Sequence, residues 1–483
     1  MADLKETGGD ESFRDHLYNV AEDGKRLKIY PKKPAGRYYR GRTWFSWLLL
    51  VLLFSGPFIK INGHQLLLLN ILERKFVLFG IPFWPQDFHL VVLSGLTLIV
   101  FIVLFTAIYG RVWCGWACPQ TIFLEMVFRK IEYLIEGDAP RARSLDRRKA
   151  DFNKVWKKAL KHSIFFALSF LIANVFLAYI IGSDELLTIV TDPIDAHFGG
   201  LLSIVIFSLV FYGVFAKFRE QACIIVCPYG RFQSALVDEN TIAVTYDFKR
   251  GEQRGHLTRE DKSRMQEGAP LRTEQRGDCI DCHQCVDVCP TGIDIRNGIQ
   301  LECVNCTACI DACDDVMDKI NQPHGLVRYA SLNSIKNPHK RLFSKRVIAY
   351  SAVLVVLVGL LAYFFSIRGD VEATILRQRG TLTTKLEEGV YGNFFQFNIV
   401  NKTFEAMEFD IRLLRPADGS LRMITEERSI EGQTRVTGRF LISMPEAALK
   451  GAQTPMILGI FSGERLLEEV NMSFQGPSQA GRR

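Results

Sequence analysis

Apolar residues run almost unbroken over five stretches: 44–59, 89–110, 163–182, 198–216 and 347–367. A helix rises about 1.5 Å per residue, so roughly 20 apolar residues cross the hydrocarbon core of a bilayer. The last four stretches predict membrane-spanning helices on length alone. The first is slightly short and has Pro57 near its end, but Trp44 and Trp47 at its start suit a membrane–water interface. It is read as the first of five spans. Residues 61–87 mix leucines with Arg74, Lys75 and Pro82, which predicts an interfacial hairpin and not a span.

After residue 370 the period changes to two. Phe395, Phe397 and Ile399 alternate with polar residues, as do Met407, Phe409, Ile411 and Leu413, and again Val470, Met472 and Phe474. Alternate side chains of a strand point to opposite faces. Several such short runs over residues 370–483 predict a β-sandwich of Ig-like kind. This region holds no cysteine, so it is neither a disulfide scaffold nor a copper–thiolate cup; docking and simple stabilisation are equally open roles for it.

Charge orients these elements. Eleven Lys or Arg lie between Arg129 and Lys161, after the second span, and none lies in residues 183–197, after the third. By the positive-inside rule the N-terminus is cytoplasmic. Residues 1–43 then form a basic cytoplasmic tail, partly disordered, ending in Lys32, Lys33, Arg37, Arg40 and Arg42. Four spans within 44–239 return the chain to the cytoplasm for residues 240–340. A fifth span over 346–367, preceded by Arg341, Lys345 and Arg346, sends 370–483 to the periplasm. The expected location is the inner membrane of a bacterium. The first apolar run begins too far in for a cleaved signal peptide. A net charge of +7 would suit a nucleic-acid surface, but the basic residues flank apolar runs, so they read as topology signals and no nucleic-acid partner is expected.

All twelve cysteines fall in regular motifs. Cys279-x2-Cys282-x2-Cys285-x3-Cys289-Pro290 is followed by Cys303-x2-Cys306-x2-Cys309-x3-Cys313. Short spacing gathers several thiolates around one point. The first run matches the bacterial two-cluster ferredoxin pattern, in which the fourth cysteine serves the other cluster. Cys279, Cys282, Cys285 and Cys313 are therefore expected to hold one [4Fe–4S] cluster, and Cys303, Cys306, Cys309 and Cys289 the second. Zinc takes one set of four ligands, not two interleaved sets. Disulfides do not persist in the reducing cytoplasm. Asp314 stands where the second run would carry proline.

The other four cysteines form a repeat, Cys114-x3-Cys118-Pro119 and Cys223-x3-Cys227-Pro228, each after an even-numbered span and each near a basic residue, Arg111 or Arg219. Proline is tolerated in a helix's first turn, so a helix can begin at Cys118 and again at Cys227; alternatively each pair shares one helix face at i, i+4. The pairs could be small buried packing residues. As chemistry they could make one four-thiolate site, two soft-metal sites for Cu(I) or iron–sulfur, or a redox dithiol. The sequence leaves these open. His89, His162 and His197 lie near the ends of spans and His64 in the outer hairpin; all four read as interfacial polar residues, not haem ligands. The sequence has no glycine-rich dinucleotide fingerprint.

Together these residues resemble the CcoG (FixG, RdxA) family of cytochrome c oxidase accessory proteins, a group of membrane-bound polyferredoxins. The resemblance rests on the basic tail, Arg74-Lys75-Phe76, Phe83-Trp84-Pro85-Gln86-Asp87, both Cys-x3-Cys-Pro pairs, the eight-cysteine module, and Asn398-Ile399-Val400-Asn401-Lys402-Thr403. It implies two [4Fe–4S] clusters, a Cu(II)-to-Cu(I) reductase acting through Cys114, Cys118, Cys223 and Cys227, and a role in assembling cbb3-type oxidase. The implied partners are oxidase assembly factors or copper chaperones and a cytoplasmic electron donor. The same pairs occur in NapH and NosR, so a quinol-linked relay is an alternative, and a non-catalytic assembly scaffold is another.

Overall fold

The computed structural model describes residues 27–61, 64–70, 75–78, 81–83, 87–193, 195–266, 271, 273, 276–337, 344–378, 383–403 and 405–477. Residues 1–26 of the tail, Arg74, Trp84, Pro85, Gln86 and Arg341 lie outside the described residues. The chain forms two compact units, one of residues 1–59, 67–72 and 91–359, the other of residues 60–66, 73–90 and 360–483.

Among the described residues, four helices are long and apolar enough to cross a membrane: Phe88–Tyr109, Phe152–Ile181, Phe198–Phe218 and Lys345–Ser366. Their apolar faces are largely uncovered by protein, so lipid is the solvent that suits them. The Phe152–Ile181 helix begins well before residue 163 because Asp151 caps it, accepting from Lys154 N at 2.8 Å. The stretch 44–59 is different. It is the apolar half of a helix running Arg37–Ser55, whose first half carries Arg37, Arg40 and Arg42, and it is not among those four.

Residues 27–43, expected as the end of a loose tail, are ordered within the first unit. Residues 27–35 form no regular element, and Lys32 N donates to Asp287 O at 2.7 Å. Asp138 Oδ1 accepts from Lys33 N at 2.8 Å. The helix start at Arg37 is then capped from afar: Asp311 accepts from Tyr38 N at 3.0 Å and Tyr39 N at 2.7 Å. Beneath it, Phe128 stacks on Phe215 at 4.6 Å and meets Phe165 edge-on at 4.8 Å.

The cysteine-rich segment is closed by one antiparallel pair, Ala243–Tyr246 with Val327–Ala330. Val244, Tyr246, Ile295, Ile310, Met317 and Leu326 form its core. So much apolar burial in a short segment leaves the cysteine loops little freedom.

The second unit contains two antiparallel sheets. One orders Ser420–Met423, Arg435–Pro445, Val390–Asn401 and Val371–Arg377, with Thr384–Glu387 also on Val390–Asn401. The other orders Asp410–Arg415, Gln453–Ser462 and Arg465–Gln475. Phe395, Phe397, Phe440, Leu458, Ile460 and Phe474 fill the core and are fully buried. The predicted hairpin is present as Lys75–Leu78 paired with Ile81–Phe83, with Phe76 opposite Phe83. Asp87, at the start of the Phe88–Tyr109 helix, binds Lys402 Nζ at 2.6 Å and Arg368 Nη2 at 3.0 Å. Asn401 is buried, and its Oδ1 accepts from Thr403 N at 2.9 Å.

Candidate metal and thiol centres

The two cysteine loops repeat in backbone as well as in sequence. Asp281 and His283 have φ of 51° and 55°, and Asn305 and Thr307, at the matching positions, have 54° and 67°. Left-handed backbone is costly for such residues, above all for β-branched Thr307. Short helices start immediately after, at Gln284 and Ala308. Neighbours hold the strain in place. Arg296 grips Asp281, binds Asp294 at 2.6 Å and meets His283 Nδ1 at 3.0 Å. Asn305 Oδ1 accepts from Val244 N at 3.2 Å, and its carbonyl accepts from Tyr329 Oη at 3.2 Å.

The wound loops bring the thiols into two groups. The charges of Cys285, Cys279 and Cys282 act on Cys313, and the charge of Cys306 on Cys289. A small cavity is lined by Cys289, Cys303, Cys306 and Cys309, with Cys285 on its wall. Backbone N–H groups of Thr291 and Ile293 donate to Cys289, that of Asn305 to Cys303, and that of Ala308 to Cys306. Burial pushes the Cys285 and Cys303 thiols up to about 12 and Cys289 to about 11. Metal ions would displace those protons. Among the described residues, no three His, Cys, Asp or Glu side chains close around a single ion. Eight free thiols, donors aimed at sulfur and a thiol-lined cavity fit two four-iron clusters, whose ligands stand around a polynuclear core. Asp314, at the position of the first run's proline, lies within the Ala308–Lys319 helix and accepts from Gly325 N at 3.0 Å.

The second cysteine constellation also comes together. Cys118 and Cys227 are extended residues at helix starts, followed by Pro119 and Pro228 in the first turn. Cys114 lies on the short Val112–Trp116 helix and Cys223 on a π-helical turn, Ala222–Val226. Each pair is thus one residue inside a helical turn and one at the start of the next helix. The charges of Cys118, Cys114 and Cys227 all act on Cys223, so the two pairs share one locality. Burial pushes Cys114 up to about 11, against the pull of Arg111, and Cys223 up to about 12. Cys114 Sγ donates to Gln233 Oε1 at 3.1 Å, and Arg111 Nε donates to the same oxygen at 3.2 Å. The buried Nε2 groups of Gln233 and Gln120 have no partner among the described residues.

Arg219 does not join this group. Its guanidinium forks onto Glu132 Oε1 and Oε2 at 2.6 and 2.7 Å, so only Arg111 of the two repeat-associated arginines reaches a thiol. His162 meets Tyr212 Oη at 2.9 Å, His197 meets Asp192 at 3.1 Å, and His89 lies edge-on to Phe364; none faces another histidine. Sequence spacing gave no sign of Gln233, Trp116, Tyr329 or Arg42. Yet Trp116 Nε1 donates to Tyr329 Oη at 3.2 Å, and Arg42 Nε donates to Gly115 O at 2.7 Å. These contacts tie the loop of the first pair to the loop of the second cysteine run.

Residues 218–332 match the profile described as "4Fe-4S dicluster domain", residues 91–136 that of "4Fe-4S binding domain", and residues 361–477 that of "IG-like fold at C-terminal of FixG, putative oxidoreductase". Protein RdxA of Cereibacter sphaeroides is 36% identical over 428 residues, covering 84% of this chain and 85% of its own. The chain belongs to the FixG/RdxA family. Protein RdxB of the same organism is 33% identical over 419 residues, covering 83% of this chain and 84% of its own. The nitrogen fixation protein FixG of Rhizobium meliloti is 35% identical over 320 residues, covering 64% of this chain and 58% of its own. This FixG/RdxA protein is an iron–sulfur electron-transfer protein with apolar helices of membrane-spanning length and an Ig-like C-terminal domain. The 91–136 match contains the Cys114/Cys118 pair.

Proposed function

We propose that this FixG/RdxA protein reduces Cu(II) to Cu(I) for assembly of a cbb3-type cytochrome oxidase. The observation that carries the reading is the convergence of Cys114, Cys118, Cys223 and Cys227 on one part-buried locality in backbone contact with the second cysteine loop. In this reading Cys279, Cys282, Cys285 and Cys313 hold one cluster and Cys289, Cys303, Cys306 and Cys309 the other. When bound, such clusters supply electrons one at a time. The remaining work belongs to the chain. The four soft thiols bind the copper ion as substrate and favour its Cu(I) state. Each thiol that ligates the metal gives up its proton. Gln233 and Arg111 orient Cys114. One electron reduces one Cu(II) ion, and the donor is a cytoplasmic carrier.

The proposed topology has five crossings, with the apolar stretch 44–59 as the first, the N-terminus and cysteine loops cytoplasmic, and residues 370–483 periplasmic. The asymmetry of Lys and Arg between residues 129–161 and 183–197 supports it. Oxidase assembly factors or copper chaperones would receive the product.

The test is anaerobic purification, cluster reconstitution and measurement of Cu(II) reduction in the wild type and in Cys114→Ser and Cys227→Ser. Loss of reduction with iron content retained is expected. Unchanged rates would remove the pairs from the mechanism. A second reading follows from the match of residues 91–136 to a 4Fe-4S binding domain: the four thiols hold a further cluster. It predicts about twelve iron per chain instead of about eight, the excess being lost in the pair variants.

A further inference from the structure

Two buried arginines lie between the four-thiol locality and the second cysteine loop. Arg42 is 3% exposed and Arg111 6%. Arg42 gives its Nε–H to the Gly115 carbonyl, and its Nη2 has no hydrogen-bond partner. Arg111 donates to the carbonyl of Leu301, just ahead of Cys303, and to Gln233. Neither forms an ion pair with a carboxylate among the described residues. Glu125, whose charge also acts on Cys306, is taken by Arg129 at 2.9 Å. A buried guanidinium without a counter-ion is costly, and natural folds keep one where an anion belongs.

The anion is indicated by which thiols these charges reach. Arg42 holds the carbonyl of Gly115, which packs on Val304 and Asn305 between Cys303 and Cys306, and Arg111 holds the carbonyl of Leu301, just ahead of Cys303. The other cysteine set has a different surrounding. Its nearest cation, Arg296, is already neutralised by Asp281 and Asp294, and Asp314 adds a negative charge beside Cys313.

We propose that Arg42 and Arg111 are the buried counter-charges of the cluster site formed by Cys289, Cys303, Cys306 and Cys309, and raise its reduction potential above that of the site formed by Cys279, Cys282, Cys285 and Cys313. This rests on the ligand reading given above. Reduction adds one negative charge, and an unpaired cation in a low-dielectric surrounding favours the more negative state. The consequence is direction: an electron entering at the exposed Cys282 end comes to rest beside the four thiols. Arg42 and Arg111 are positioning residues here.

The experiment is an EPR-monitored redox titration of the full-length protein, with iron analysis on every sample. Signals are assigned by which one is lost in Cys306→Ser. Arg42→Gln and Arg111→Gln should each lower the potential of the Cys306-linked signal and leave the other unchanged, with iron content as in the wild type. Arg42→Lys, which keeps the charge, should stay near the wild-type potential. Unmoved potentials in both Gln variants overturn the inference, as does a Lys variant that shifts as far as Gln. If Arg42→Gln does not assemble, Arg111→Gln decides by the same criterion. A wild type that binds no two clusters instead overturns the ligand reading, and the iron analysis tells the two failures apart.

Discussion

Gly115 and Asn305 meet backbone to backbone: a Cβ added to Gly115 would lie 2.9 Å from the Asn305 carbonyl oxygen, and closer still to that of Val304. One residue belongs to the first Cys-x3-Cys-Pro loop and the other to the second cysteine run. Only glycine permits this approach. Gly115→Ala should push the loops apart, at a cost of about 1–3 kcal/mol from overpacking. The expected result is a lowered thermal midpoint and slower Cu(II) reduction, with iron content retained. Wild-type kinetics in Gly115→Ala would show that electron delivery does not depend on this contact.

Asp311 sits between Cys309 and Cys313 and caps the Arg37–Ser55 helix through Tyr38 N and Tyr39 N. A carboxylate at a helix start is favoured by both hydrogen bonding and the helix dipole. Asp311→Ala should cost about 1–2 kcal/mol and free residues 27–36 from the cysteine module. Limited proteolysis would read this as faster cleavage near Lys32 and Lys33, with Asp311→Asn intermediate. Equal cleavage of wild type and Asp311→Ala would refute it.

The cap also marks the limit of what the sequence revealed. Periodicity was enough for the sandwich, because Phe395, Phe397 and Phe440 are buried by strand alternation that needs no knowledge of partners. Equal spacing was enough for the repeated loops, since wrapping a common centre imposes the same backbone at Asp281 and Asn305. Long-range polar contacts leave no such trace. Asp311 looked like any acidic residue between ligands, and Arg42 like one more charge in a basic tail. Arg219 misled for the same reason: proximity in sequence to Cys223 said nothing of Glu132, 87 residues away. The apolar stretch at 44–59 was real, but its helix starts earlier because the cap at Tyr38 and Tyr39 comes from another part of the chain.

Glu132 is held by Arg219 and lies 3.7 Å from Lys161 Nζ, and it is almost fully buried. Burial alone would raise its carboxyl, but Arg219 outweighs this and holds it at about 2. Removing one partner of such a pair strands a buried charge, typically at 3–5 kcal/mol. Arg219→Met should therefore destabilise the protein strongly, and Arg219→Met with Glu132→Leu should recover most of the loss. Thermal denaturation in detergent checks both. Additive losses in the double variant would refute the pairing argument.

The last prediction concerns Asp87 in the second unit. Burial pushes its carboxyl up, but Lys402 and Arg368 outweigh burial and hold it below the usual aspartate range. Its folded value is thus depressed below the unfolded one of about 3.9. The stability it contributes is complete well above that unfolded value and is lost as pH falls through the depressed folded value. Asp87→Asn removes the charge at every pH and leaves Lys402 with Glu372, at 2.7 Å, as its acidic partner. At pH 7 the variant should be less stable by about 1–3 kcal/mol, the usual cost of leaving a buried polar partner short of its acceptor. The gap between wild type and variant should close progressively below about pH 4. Protease resistance of the Ig-like domain in the full-length protein, measured from neutral to acid pH, reads this gap. A difference that stays constant into acid would mean that the Asp87 charge is not what holds the contact.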